Sequence, residues 1–165
     1  MPIDDTDIGS ISERVSRITA KLESMVLPID SREFSREEYT KLFPEGTAKT
    51  PIGIVKLGFH QFEKMDKKGR KGLVAAMFWT LNDPVIILSE RRGIEEARIY
   101  IKSFKELGAS KITNVISVVV DIDGQAVAIS TGKRKKKQIS EKLKLARSIL
   151  YEKQGTPSPT IGTGS

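Results

Sequence analysis

The chain has 165 residues and a formal net charge of +7, with 38% hydrophobic and 30% charged residues. This composition is typical of one folded, well-hydrated domain with tails. It has no cysteine and one histidine, which excludes disulfides, thiolate metal sites and sites built from two histidines. No apolar run approaches the roughly 20 residues of a membrane span, and the N-terminus lacks the apolar segment of a signal peptide. We therefore expect a cytoplasmic protein without metal or other cofactor.

Two helices are predicted at the N-terminus. Apolar residues from Ile11 to Met25 recur every three or four positions, and Pro28 ends this helix. Ser35 and Glu38 have the spacing of a capping box and begin a second, short helix. Residues 1–50 thus form a helical arm with an acidic excess. The sequence leaves open whether this arm covers a basic surface, docks separately or tethers the chain to a larger protein.

A strand and two further helices are predicted next. The segment from Pro51 to Gly58 is bounded by turn formers and predicts a strand. Phe62 and Met65 lie at helical spacing, and a strongly apolar helix follows at residues 73–81. The segment Gly69-Arg70-Lys71-Gly72 between these helices is a candidate for phosphate contact. Because it lacks a phosphate-loop signature, a plain interhelix turn is favoured.

The second half of the chain changes to strands and ends in a basic segment. The predicted strands are Val85–Leu88, Ala97–Phe104, Val115–Ile122 and Gln125–Thr131, and Asp123-Gly124 is a type I′ hairpin signal. A basic helix at Lys135–Glu152 and a flexible tail at 154–165 follow. We therefore predict an α+β fold with N-terminal helices, a four-stranded antiparallel β-meander and a C-terminal basic helix. The predicted domain spans residues 51–153.

The positive charge is concentrated near the C-terminus. Nine of the 28 basic residues but only two of the 21 acidic residues lie between 133 and 153. This segment alone accounts for the net charge of the chain, and such clusters attract phosphate polymers or acidic surfaces. A solvated helix face is the alternative interpretation.

Strand alternation predicts a polar sheet face. The hairpin register places Ser117 opposite Ser130, and Arg98, Tyr100 and Lys102 share one side of the preceding strand. If the isoleucines of that strand point to the core, these five side chains lie on one open face. Such a face suits RNA, because cations hold phosphate, a ring stacks on a base and hydroxyls donate hydrogen bonds.

Other assignments remain open at this stage. Tyr100 and Phe104 are alternatively core residues, which would turn the neighbouring cations inward. His60, the one group with an ordinary pKa near neutrality, is either a general acid or base or a surface residue at a helix start. Asp121 and Asp123 resemble paired carboxylates, but beside a glycine they are typical turn residues rather than metal ligands.

Five segments resemble consecutive features of one family. They are Val55–Gly58 with Phe62–Lys64, Thr80–Pro84 leading into Val85–Ile87, Tyr100–Phe104, Ser117–Val120 and Ile129–Thr131. Together they resemble the phage-encoded nuclease-like domains of the barnase/EndoU/colicin/RelE-like (BECR-fold) superfamily, which occur in MuF-type head proteins and large polyvalent phage proteins. The resemblance covers about residues 50–153 and implies phage or prophage origin, in the cytoplasm or a phage particle.

The resemblance implies a metal-independent, toxin-like ribonuclease. Its chemistry would be attack of a ribose 2′-hydroxyl on the adjacent phosphate, which needs a base, an acid and cations. Lys102, Ser130 and Thr131 fall on the family's motif positions, and His60 is added from its chemistry alone. The family pattern often has a histidine after the Ser-Thr pair, whereas this chain has Gly132.

This departure keeps a second function open: an inactive relative that binds nucleic acid or docks to a phage structural protein. RNA is the expected partner in the first case, an immunity protein is a further candidate, and no membrane is expected. The predicted nucleic-acid-binding residues are Arg98, Tyr100, Ser117, Lys133, Arg134, Lys135, Lys136 and Lys137.

Overall fold

The computed structural model describes residues 5–57, 61–67, 69–108 and 110–154. Within these ranges the chain forms five α-helices and eight strands in one curled, mixed sheet. The helices are α1 (Asp5–Ser24), α2 (Arg36–Leu42), α3 (Gln61–Lys67), α4 (Val74–Asn82) and α5 (Lys136–Leu145). The strands are β1 (Leu27–Ile29), β2 (Thr47–Thr50), β3 (Gly53–Leu57), β4 (Ile86–Arg92), β5 (Glu95–Glu106), β6 (Ile112–Ile122), β7 (Gln125–Arg134) and β8 (Ser148–Glu152). Short 3₁₀ turns occur at Pro44–Gly46 and Lys71–Leu73.

The sheet is larger than predicted and is not purely antiparallel. Its strand order is β2-β3-β7-β6-β5-β4-β8, with β1 beside the end of β5. Strands β4 to β7 pair antiparallel in chain order. However, β3 is parallel to β7, and β1 is parallel to β5. The predicted fold class, a four-stranded antiparallel meander with N-terminal helices and a C-terminal helix, is therefore wrong.

Two short strands, β1 and β8, explain part of this error. The prediction used Pro28 only as a helix stop, but proline is also compatible with a short edge strand, and β1 contains it. The predicted C-terminal helix ends at Leu145, and Ser148–Glu152 pairs antiparallel with β4 instead. Ile149 continues the helical spacing of the α5 stripe by coincidence. Over a few residues, apolar spacing does not distinguish a helix from a buried strand.

Both faces of the sheet are buried. Ile18 and Leu22 of α1 and Ile139 and Leu143 of α5 pack on one face, against the β5 isoleucines. On the other face, α2, α3 and α4 pack against a second set of side chains that includes Tyr100. Because strand residues alternate between faces, two covered faces bury nearly every residue in the middle of β5. The sheet therefore lacks the open face that strand alternation predicted.

The β6–β7 hairpin has the predicted turn but a shifted register. Asp123 and Gly124 both have positive φ, 52° and 80°, as a type I′ turn requires. The pairing follows the prediction as far as Val119 with Ala128, and then shifts by one residue. The extra residue on β7 is a β-bulge, and beyond it Ser117 pairs with Thr131 rather than with Ser130.

The N-terminal region contributes to both hydrophobic clusters. Tyr39 and Phe43 of the α2 region are buried in the cluster on the α4 side, while α1 packs on the opposite face with α5. The predicted capping box is present, because Glu38 N–H donates to Ser35 Oγ and Ser35 N–H donates to Glu38 Oε1. The predicted boundary between residues 50 and 51 falls inside the β2–β3 hairpin.

Candidate nucleic-acid interface

A cleft of about 550 Å³ lies where β7 leads into α5. Lys133, Arg134, Lys135 and Lys136 line it together with Lys111, the start of β6 and residues of α1. The β6–β7 ladder fixes this arrangement, since Arg134 pairs with Asn114 at the end of the hairpin. The predicted run of basic residues therefore borders a concave surface.

A second cavity of about 420 Å³ adjoins the cleft. The two share Glu106, Lys133 and Arg134 as lining residues, and the first is otherwise lined by α1, α5 and the start of β6 whereas the second is lined by the turn between α3 and α4. Arg70 and Gly72, from the turn between α3 and α4, contribute to the second cavity. We call the combined feature the basic groove. Its charged lining residues are Glu23, Arg70, Glu106, Lys111, Lys133, Arg134, Lys135 and Lys136.

The start of α5 adds to the positive potential. The Gln138 side chain accepts a hydrogen bond of 2.8 Å from Lys135 N–H, and the first turn carries no acidic residue. The N-terminal end of a helix has a partial positive charge from its free N–H groups. Ile139 and Leu143 anchor the helix in the core, so the position of its first turn is fixed by packing.

Only two of the six groove cations are paired within the described residues. Lys133 Nζ lies 3.5 Å from Glu106 Oε2, and Lys136 Nζ lies 3.1 Å from Glu23 Oε2. The pKa of Glu106 is lowered, first by a hydrogen bond with the Ser31 side chain and then by the charge of Lys133. In the described ranges, no carboxylate forms an ion pair with the other four cations, which are Arg70, Lys111, Arg134 and Lys135.

The residues predicted for an open sheet face lie elsewhere. Tyr100 is fully buried, and its hydroxyl is 3.1 Å from Thr50 Oγ1. Ser117 is also fully buried, with its Oγ 2.8 Å from Thr131 Oγ1. Arg98 donates two hydrogen bonds of 2.7 Å to the Asp121 carboxylate. None of these three side chains faces the basic groove, and Tyr100 has no free ring face for a base to stack on.

Lys102 is buried beside the end of α4. It is 2% exposed, and its Nζ donates to the Asp83 carbonyl at 2.6 Å and to Asp83 Oδ2 at 3.2 Å. Lys153 donates to the same carboxylate at 2.6 Å and 2.7 Å. Burial lowers the pKa of Lys102, and the Asp83 charge opposes that shift. The lysine is therefore the buried member of an ionic cluster and does not line an open site.

The other predicted catalytic residues are not gathered with Lys102. Thr131 is 2% exposed, and Ser130 is half-buried beside Gln61 and Lys64 of α3. His60 lies outside the described residues. Lys137 is exposed on the first turn of α5 but does not line the groove. Of the predicted binding residues, the structure brings together Lys133, Arg134, Lys135 and Lys136.

Two lining residues, Glu106 and Lys111, carried no motif and were missed by the sequence analysis. Arg70 was a candidate for phosphate contact in the segment Gly69-Arg70-Lys71-Gly72, for which a plain interhelix turn was favoured. Antiparallel pairing sets the start of β6 beside the end of β5 and the end of β7. No local signal in the sequence identifies Glu106 and Lys111, since their place depends on contacts between residues far apart in the chain.

Comparison with known proteins gave no family model, no curated protein and no solved structure that matches this chain. None of the helices in the described part of the chain is long and apolar enough to cross a lipid bilayer. Within the same ranges, no three histidine or carboxylate side chains converge as metal ligands would. The function proposed below therefore depends on the residues of the groove and on the resemblance in the sequence.

Proposed function

We propose that this protein binds RNA through the basic groove. The observation that carries the proposal is the set of four groove cations without a carboxylate partner in the described ranges. Elsewhere on this chain several surface cations, such as Arg36, Arg98 and Arg147, pair with carboxylates. A groove that keeps its cations unpaired attracts a polyanion, and phosphate contacts supply most of the affinity of such proteins.

The salt dependence of binding tests this proposal. If the six groove cations each contact a phosphate of a single strand, the slope of log Kobs against log salt is about −4. Affinity then falls about 300-fold between 50 and 200 mM salt. The measurement uses fluorescently labelled 2′-O-methyl RNA, which cannot be cleaved by attack of a 2′-hydroxyl.

Two charge-matched variants separate the groove from net charge. Replacing Lys111, Lys133 and Lys135 with glutamine should weaken binding and make the slope shallower by about 2. The control replaces three exposed lysines outside the groove with glutamine, which are Lys41, Lys67 and Lys144. Equal losses of RNA affinity in the two variants would mean that binding depends on the net charge of the protein and not on the groove cations.

A second candidate function is cleavage of the bound RNA without a metal ion. The observation that favours it is Glu106, the one carboxylate among the described residues that line the smaller cavity, whose Oε2 lies 3.5 Å from Lys133 Nζ. A carboxylate can accept the proton of an attacking 2′-hydroxyl, and the lowered pKa of Glu106 makes it a weaker base than an ordinary glutamate. That attack forms a 2′,3′-cyclic phosphate and breaks the bond to the 5′-oxygen, which takes a proton from water and leaves as a 5′-hydroxyl.

Incubation with unmodified RNA in EDTA tests the cleavage reaction. We expect a 2′,3′-cyclic phosphate product from the unmodified chain and loss of that product in Glu106→Gln. Binding of 2′-O-methyl RNA should persist in this variant, because removing one negative charge does not weaken phosphate contacts. If the chain binds RNA but does not cleave it, the proposed binding function stands and the proposed cleavage is refuted.

A further inference from the structure

Two arginine side chains converge over Gly132 in the smaller cavity of the basic groove. A Cβ atom added to Gly132 would lie 2.8 Å from Arg134 Nη1 and 3.6 Å from Arg70 Nη1. The two guanidinium groups therefore occupy the space that any other residue would fill with its own side chain. Arg134 comes from the end of β7, and Arg70 comes from the turn before α4.

Backbone carbonyls hold both guanidinium groups in place. Arg70 Nη1 donates to the Thr131 carbonyl at 3.0 Å, and Arg134 Nη1 donates to the Lys133 carbonyl at 2.8 Å. Neither arginine forms an ion pair within the described residues. The two Nη1 atoms lie 2.8 Å and 3.6 Å from the same point above Gly132, so the two positive charges repel each other. A bound anion would relieve that repulsion. Arginine retains further N–H donors, and its planar fork matches the oxygens of a phosphate.

The charge of this cavity indicates which kind of phosphate it suits. Three cations, Arg70, Lys133 and Arg134, and one carboxylate, Glu106, line it. This excess of two positive charges matches a phosphomonoester, which carries about −1.5 to −2 charge at pH 7. An internal phosphodiester carries a single negative charge and would leave the second arginine unpaired. The volume of about 420 Å³ is ample for one phosphate group.

We propose that the cavity over Gly132 binds the terminal phosphomonoester of an RNA strand, with Arg70 and Arg134 as its ligands. This inference rests on the proposed function and makes it more specific. The rest of the basic groove then binds the internal phosphates of the same strand. The shared chemistry applies to a 5′-phosphate and to a 3′-phosphate, and the experiment distinguishes them.

The test compares one 2′-O-methyl RNA sequence with a 5′-phosphate, with a 3′-phosphate and with hydroxyl groups at both ends. We expect one phosphorylated form to bind about tenfold more tightly than the hydroxyl form, as one added charge-assisted hydrogen bond would provide. Inorganic phosphate at matched ionic strength should compete with that form and not with the hydroxyl form. Equal affinities for all three RNAs would overturn the pocket and leave groove binding intact, whereas no RNA binding at all would overturn both proposals.

Two variants examine the arginines themselves. Arg70→Gln with Arg134→Gln should remove the preference for the phosphorylated end, while the charge-matched control Lys41→Gln with Arg91→Gln should keep it. Gly132→Ala is a milder variant, because its new methyl group meets only flexible guanidinium ends and the backbone angle is ordinary. We expect it to abolish the end preference and to retain binding of the hydroxyl form. A preference unchanged in both arginine and glycine variants would refute the assignment.

Discussion

The ionic cluster of Lys102, Asp83 and Lys153 allows a quantitative prediction about stability. Asp83 accepts hydrogen bonds from both lysines, but only Lys102 is fully removed from solvent. Replacing Asp83 with asparagine leaves Lys102 buried beside a carbonyl without a counter-charge. Loss of one partner of a fully buried pair typically costs about 3 to 5 kcal/mol, and because the Asp83 side chain is 35% exposed we expect a cost at or below the lower end of this range. Asp83 and Lys153 are each about one-third exposed, so solvent screens their own pair and it adds little.

The free-energy cost of Asp83→Asn has an upper limit that depends on pH. In the variant Lys102 can give up its proton, and discharging a lysine of ordinary pKa costs about 5 kcal/mol at pH 7 but only about 2 kcal/mol at pH 9. A lysine whose pKa is lower in the folded state binds fewer protons when folded than when unfolded. Its stability contribution therefore rises with pH between the two pKa values. Asp83→Asn should thus be destabilising at pH 7 and recover by at most about 3 kcal/mol at pH 9, relative to the unmodified chain.

Denaturant unfolding at the two pH values, followed by circular dichroism, measures this difference. Lys102→Met, in which Asp83 keeps Lys153 as its partner, should change the free energy of unfolding by less than about 1.5 kcal/mol. The double variant should regain most of what Asp83→Asn alone loses. The reasoning fails if Lys102→Met is as damaging as Asp83→Asn at pH 7. It also fails if the cost of Asp83→Asn is the same at pH 9.

Two further predictions concern hydrogen bonds in the described structure. Ser117→Ala should lower the free energy of unfolding by about 1 to 3 kcal/mol, because it leaves the buried Thr131 hydroxyl without its partner. The double variant Ser117→Ala with Thr131→Val removes both hydroxyls and should be nearly neutral in urea unfolding. An additive pair of losses would contradict this coupling. Ser35→Ala removes the cap of α2 and should cost about 1 kcal/mol in thermal unfolding, while Ser24→Ala, on an exposed hydroxyl at the end of α1, should cost less.

Features encoded in a few adjacent residues could be predicted from the sequence. The Asp123-Gly124 turn follows from two positions that tolerate positive φ, and the capping box follows from one hydroxyl and one carboxylate at fixed spacing. The basic run from Lys133 to Lys136 is equally local. These four residues line one cleft of the structure, and their role in binding stays a prediction.

Features that depend on distant residues could not be predicted. The sequence suggested an open sheet face because Arg98, Tyr100 and Lys102 alternate with isoleucines. Burial of Lys102 depends on Asp83, and a bidentate partner for Arg98 depends on Asp121. The bulge near Ile129 likewise has no sequence signature, yet one extra residue changes the partner of every later position in β7.

Gly132 shows why local comparison alone can mislead. The pattern of the nuclease family that the sequence resembles often has a histidine after the Ser-Thr pair. Compared with that pattern, Gly132 is the loss of an acid–base group. In the structure, the missing side chain is what lets Arg70 and Arg134 approach each other over the strand. A histidine there would place its Cβ within 2.8 Å of the Arg134 guanidinium and displace it. The close approach of the two arginines therefore depends on Gly132. A Gly132→His variant should displace the two guanidinium groups, whatever acid–base chemistry its imidazole adds.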